Sequence, residues 1–260
     1  DARYNQALTE IEDHFSKFRM SDALMSTYKL IWNDFCSWYL EMIKPAYGEP
    51  IDPATYKVTL NLFEKLMKVL HPFMPFISEE VWSELRDRQD GQDIIVSAWP
   101  IVGDLNPDLI KQADKVFELV SNIRNARSSK GISPKEQLNL FVRAKDQSAY
   151  DAFEGTIKKL GNIGEIESTS EKIENAISFV INSDEFYLPM AEGAIDPEQE
   201  KAEIEKELAY TKGFLNSVSK KLSNERFVSG APEQVVANEK KKLADAESKI
   251  KVLEEKLSSL

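Results

Sequence analysis

Ile204-Glu-Lys-Glu-Leu208-Ala-Tyr-Thr211-Lys-Gly-Phe-Leu215-Asn-Ser-Val218-Ser-Lys-Lys-Leu222 places its seam residues at intervals of 4-3-4-3-4. Beyond Pro232 the pattern resumes at Val236, Glu239, Leu243, Ala246, Ile250, Leu253, Leu257 and Leu260, at intervals of 3-4-3-4-3-4-3. This spacing sets one seam along each helix, which a partner helix must cover. Gly230 suits a left-handed helix end, and Pro232 suits the first turn of the next helix. The two segments are therefore expected to double back as an antiparallel coiled-coil hairpin. At 1.5 Å per residue it would reach about 40 Å.

Working outward, 260 residues leave room for one large or two modest domains besides this rod. A hydrophobic content of 42%, with 13 Phe, 8 Tyr and 4 Trp, supplies a real core and argues against wholesale disorder. No apolar run approaches the roughly 18 residues that span a bilayer, so no membrane partner is expected. No signal peptide is expected, and Asp1-Ala-Arg-Tyr reads as mid-helix, as though cut from something longer. The single cysteine, Cys36, excludes an internal disulfide or a Cys-rich zinc site and fits a reducing, cytoplasmic setting.

The net charge of -11 speaks against nucleic acid only on average. Residues 115–145 hold seven Lys/Arg against two acids, and residues 212–242 seven against three. Residues 193–211, at the root of the rod, hold six acids against two lysines. Two basic islands on an acidic body fit local docking to a polyanion. Ordinary charge variation over a solvated surface fits equally.

The first ninety residues read as helical. Leu8, Ile11, Phe15 and Phe18 form one inward stripe, and Ser21 is placed to cap the next helix. That helix, about 22–44, carries two stripes: Leu24, Tyr28, Ile31, Phe35, Trp38 and Met42, with Met25, Trp32, Cys36, Tyr39 and Ile43 beside them. Both are expected to be buried between neighbours, as in a bundle. Asp52-Pro53 opens a third helix and Ser78-Glu79-Glu80 a fourth. A fifth ends near Ser128 with Val116, Phe117, Val120 and Ile123 inward. The period then changes from 3.6 to 2. Strands are expected at 138–143, 163–166, 177–181 and 186–190, with a helix over 147–160. Glu192-Gly193 reads as a linker. The fold class is mainly α: a helical bundle (1–134), a small α+β subdomain (135–192) and the coiled-coil hairpin (193–260).

The residues offer little for catalysis. The only two histidines are His14 and His71, and neither GxxxxGK[ST] nor GxGxxG occurs. Glu79 and Glu80 are adjacent, so they point to different helix faces and form no carboxylate pair. No metal site and no cofactor are expected within the chain.

Several stretches together resemble the C-terminal part of bacterial valyl-tRNA synthetases. They are Trp32-Asn-Asp-Phe-Cys-Ser-Trp-Tyr-Leu-Glu-Met-Ile-Lys-Pro45, Leu70-His-Pro-Phe-Met-Pro-Phe-Ile-Ser-Glu-Glu-Val-Trp82, and Ile123-Arg-Asn-Ala-Arg127 with Gly131-Ile-Ser-Pro134. The fourth, Lys221-Leu-Ser-Asn-Glu-Arg-Phe-Val-Ser-Gly-Ala-Pro-Glu-Gln-Val-Val236, discriminates the valine branch from its isoleucine and leucine relatives. The family's His-x-Gly-His and Lys-Met-Ser-Lys-Ser motifs are missing. The resemblance thus implies an anticodon-binding bundle and a tRNA-binding arm, without the domain that joins valine to tRNA using ATP and magnesium in the full-length enzyme. The partner it implies is valine-accepting tRNA, bound by a monomer, with no role for DNA.

Physical reasoning and resemblance point to the same residues. An anticodon loop offers unstacked bases, which apolar faces and polar groups hold together. Trp38, Leu40, Glu41 and Lys44 supply that mixture; Leu40, Glu41 and Lys44 are expected to leave the buried arc, whereas core packing is the simpler reading of Trp38. Arg124, Arg127 and Lys130 could clamp backbone phosphates, or simply complement a helix end. Near the hairpin tip lie Lys212, Lys220, Lys221, Arg226, Lys240, Lys241 and Lys242, the candidates for the tRNA elbow. Phe227 would either stack on an exposed base or pack over the hairpin's end. A reading from another class is a protein-interaction module whose seam recruits a partner helix.

Overall fold

The computed structural model describes residues 1–190, 197–231 and 233–258, which fall into two compact units, Asp1–Gln112 and Ala113–Leu260. In the first, helix α1 (Ala2–Ser16) buries Tyr4, Leu8 and Ile11. Full burial of a side chain such as Leu8 or Ile11 stabilises by about 1.5–3 kcal/mol. Phe18 does not continue the stripe. It adopts φ 56°, a left-handed turn that a β-carbon disfavours, and is 87% exposed. Helix α2 (Met20–Tyr28) then begins with Arg19, not Ser21, at its N-cap.

The rod continues as an 11-residue π-helix, Lys29–Tyr39, and closes in a single turn, α3 (Leu40–Ile43). This overturns the uniform α period expected over 22–44. Bonding from i to i+5 aligns residues five apart. Leu30 and Phe35 are buried, and Leu40 packs against the same core. Leu24, Met25, Tyr28 and Trp32, expected to be buried, are exposed, since no described residue covers that side. The Tyr28 and Trp32 rings stack there, 6.2 Å between centroids.

Helix α4 (Pro53–Leu70) starts as its chemistry requires: Asp52 accepts from the Thr55 N–H at 2.7 Å, and Pro53 occupies the first turn. Helix α5 (Pro75–Leu85) begins one turn before the expected Ser78, again on a proline. His71 closes the bend between them, its Nδ1 2.8 Å from Ser78 Oγ. Trp82 is pinned by donating to the Gln92 carbonyl, with the Arg88 guanidinium over its ring.

Helix α6 (Pro107–Ser129) carries the division between the units. Periodicity assigned all of it to the bundle, but Val116, Leu119, Ile123 and Ala126 pack into the core of a sheet. Strand β1 (Leu138–Arg143) turns Leu138, Leu140 and Val142 inward, the period of two read from the sequence. Two short helices, α7 (Ser148–Ala152) and α8 (Glu154–Gly161), replace the single one expected. They form the crossover to β2 (Ile163–Ser168), which lies parallel to β1. Strands β3 (Ala176–Ile181) and β4 (Asp184–Pro189) pair as an antiparallel hairpin, giving the order β2-β1-β4-β3.

Helices α9 (Pro197–Leu222) and α11 (Glu233–Ser258) follow, with a short α10 (Glu225–Gly230) between them. Ion pairs Glu207–Lys249 and Lys221–Glu239, in which the numbers rise along α9 as they fall along α11, show the long helices running antiparallel. Every described seam position, from Ile204 to Leu257, is buried or half-buried. The turn differs from expectation, because a helix occupies it. Gly230 ends that helix without a left-handed φ. Pro232, Leu260 and the Glu192-Gly193 linker lie outside the described residues.

Candidate nucleic-acid interface

At the far end of the helix pair, Lys221 of α9 faces Glu239 of α11 at 3.8 Å, so Lys220, Lys221 and Lys240–Lys242 share one height. Their states differ. Lys220, Lys240 and Lys241 are exposed and form no ion pair with any described residue. Lys242 donates to Glu239 Oε1 at 2.7 Å, and that bond holds the carboxylate below its ordinary pKa. Lys212 is not a tip residue. It pairs with Glu254 at 2.6 Å, about 14 Å down the helix from Lys221 at 1.5 Å per residue. Arg226 belongs to α10, and its side chain lies outside the described residues.

Phe227 is half-buried, so part of its ring packs at the end of the rod. Beside it, Val228, Ala231, Val236, Ala237 and Lys240 line a shallow pocket of about 240 Å³. The sequence reading missed this apolar cup because it arises from α10, which a two-helix hairpin does not contain. It also gave Glu239 no role, although an acid between Val236 and Leu243 in a seam was a signal.

The other basic island is arranged differently. Arg127 is only 5% exposed and donates to four carbonyls: Gly161 (3.2 Å), Ser133 (3.1 Å), Glu136 (2.8 Å) and Asn162 (2.9 Å). Burial pulls its pKa down, but the guanidinium stays charged. The expected phosphate clamp is instead a strut joining α6, the 133–136 turn and the α8–β2 junction. Asn162 holds that junction in a left-handed conformation, φ 51°. Arg124 is exposed, with Nε donating to the Leu160 carbonyl at 3.2 Å, and Lys130 is half-buried. Arg124 and Arg127 border an open cleft of about 570 Å³. Elsewhere in the island Lys115 pairs with Asp184 and Arg143 with Glu185.

In the bundle, Trp38, Leu40, Glu41 and Lys44 follow one another along the end of the π/α rod. Leu40 does not leave the buried face as expected, because π winding turns it towards Phe35 and Leu30. Trp38 is half-buried. Lys44 is exposed and paired with Glu41 at 2.9 Å. Tyr39 packs on Phe35, and its hydroxyl meets Thr59 Oγ1 at 2.9 Å. Among the described residues there is no His/Cys/Asp/Glu group suited to a metal, and no helix is long and apolar enough to cross a membrane.

Residues 1–142 match the family model of the anticodon-binding domain of tRNA ligase, and residues 196–260 that of the valyl tRNA synthetase tRNA binding arm. Fold and matches together define a tRNA-recognition module of the ligase class. A valine–tRNA ligase of Christiangramia forsetii is 49% identical over 259 residues, covering all of this chain and 29% of that relative. One from Parabacteroides distasonis is 43% identical over 98% of this chain and 29% of its own length. A more distant one, from Oceanobacillus iheyensis, is 32% identical over all of this chain and 30% of its own length. The chain belongs to the valyl-tRNA synthetase family and spans less than a third of the length of these relatives.

Proposed function

We propose that this chain recognises valine-accepting tRNA for a valine–tRNA ligase, the bundle holding the anticodon stem-loop and the helix pair holding the elbow. The observation that carries this reading is the tip, where Lys220, Lys240 and Lys241 lie at one height without an internal counterion among the described residues. Displaced counterions would make binding there strongly salt-dependent. Phe227 and the neighbouring apolar cup would receive the face of an exposed base. On the bundle, Trp38 and the Glu41–Lys44 pair are the groups suited to an unstacked base, and Arg124 with Lys130 to backbone phosphate. Leu40 and Arg127 act through the core, not through RNA.

The ligase reaction joins valine to tRNA at the expense of ATP, with magnesium, in the cytoplasm. No residue of this chain is assigned to that chemistry. Its part is positioning, as a monomer whose binding energy orients the tRNA. Titration with valine tRNA and a non-cognate tRNA across a salt series tests this. Preference for the valine tRNA, weakened by anticodon changes, supports the reading. Equal binding of both would leave electrostatics alone, and dimerisation through the helix pair would favour the protein-interaction module.

A further inference from the structure

Glu239 is a buried acid in a basic neighbourhood. It is 6% exposed, in the seam between α9 and α11, with Val236 one turn before it on the same face and also buried. Oε1 accepts from Lys242 at 2.7 Å, while Oε2 lies 3.8 Å from Lys221 Nζ across the pair. Oε2 is shielded from solvent and has no hydrogen-bond partner among the described residues. An unmet buried carboxylate oxygen is unfavourable in a seam that an apolar residue would fill better. Both lysines that face it lie at the height of Lys220, Lys240 and Lys241. They are half-exposed or more, so their stems anchor in the rod while their ammonium groups remain near its surface.

We propose that Glu239 is an internal stand-in for phosphate, withholding Lys221 and Lys242 from RNA so that the tip binds through Lys220, Lys240 and Lys241. This rests on the reading of the tip as an RNA-phosphate contact. One carboxylate shared by two ammonium groups leaves that cluster at +1 instead of +2. A bound phosphate therefore meets three lysines without an ion pair among the described residues, in positions fixed by the antiparallel register. The device limits indiscriminate attraction to any polyanion and leaves geometry to select the elbow. As a polar group at a single seam position it also fixes which residues of the two helices stand opposite.

The test uses the whole chain with a valine tRNA transcript and measures affinity from 50 to 200 mM salt. Glu239→Gln, which keeps the shape of the side chain, frees two cations. Binding at low salt tightens, and the loss of affinity over that range grows by about tenfold, the effect of two added phosphate contacts. An unchanged slope overturns the proposal. So does weaker binding with unaltered helix content, which would mean that Glu239 presents the lysines instead of withholding them. Lys221→Met gives a check that does not depend on Glu239→Gln alone. It flattens the slope more in the Glu239→Gln background than in the parent, and equal flattening in both refutes the coupling. Lys240→Ala with Lys241→Ala separates the two levels. If that pair leaves binding unchanged, the tip reading itself falls. If it weakens binding while Glu239→Gln leaves the slope alone, only the role of Glu239 falls.

Discussion

The two basic islands look alike in sequence and fold into different surroundings. In residues 115–145 Arg124, Lys135 and Lys145 are exposed, but three cations are held: Arg127 joins three segments through carbonyls, Lys115 meets Asp184, and Arg143 meets Glu185. In residues 212–242 Lys220, Lys240 and Lys241 face solvent without an ion pair among the described residues, and Glu239 offsets two others. The difference lies in the surroundings. Carbonyls at a helix end and in a turn capture a guanidinium, whose planar fork can serve several acceptors. A two-helix rod has satisfied nearly all its backbone groups, so a lysine on it pairs only where a carboxylate lies within reach and otherwise faces water.

The largest effect that tests this contrast is on stability. Arg127→Ala would remove one donor from each of four carbonyls, three of which keep another from Glu136 N, Asn162 Nδ2 or Leu138 N, and lower the unfolding free energy by about 3 kcal/mol. Urea denaturation measures that loss, and the salt slope of tRNA binding should stay as in the parent. A flattened slope with little change in stability would return Arg127 to the RNA. Next, removing Lys220, Lys240 and Lys241 together should make the slope of log affinity against log salt shallower by about 2.7, while Lys212→Ala leaves it unchanged. A Lys212 effect of similar size would break the assignment of Lys212 to the shaft.

A smaller effect concerns Asp184, the partner of Lys115. Tyr150 donates to it at 2.6 Å, and burial, reinforced by that bond, pushes the phenol pKa well up. Tyr150→Phe should cost about 1–2 kcal/mol at neutral pH by thermal melting. Because the folded pKa is raised, this contribution is complete below the ordinary phenol value of about 10 and fades only as pH climbs beyond it. The parent and variant should therefore converge in strong alkali. The smallest effect is at Glu239, whose folded pKa is lowered by Lys242. Its contribution is present above the ordinary 4.5 and is lost as pH falls through the lower folded value. Helix ellipticity should show a slight acid transition that Glu239→Gln removes.

Much of the molecule could be read directly. Asp52-Pro53 gave a helix start because cap and proline act within one turn. Leu138, Leu140 and Val142 gave a strand because alternation needs no distant information. The seam from Ile204 to Leu257 was legible because a repeat sustained over several heptads states which face must be covered. Leu40 was misplaced because the π winding of Lys29–Tyr39 changes the period within an otherwise helical pattern, and no residue type announces it. Arg127 was misjudged because its acceptors lie up to 35 positions away in sequence.

Local periodicity, caps and charge counts thus determined by themselves that this chain is mainly helical, carries one small sheet, and ends in two helices with cations near their turn. These are short-range properties, set by backbone geometry and by which face meets water. Tertiary structure alone decided which cations remain available, because a charge is neutralised by whatever folding brings within a few ångströms. Lys220 and Lys221 are neighbours in sequence, yet only Lys221 faces Glu239 across the pair, and only the packed helices could tell them apart.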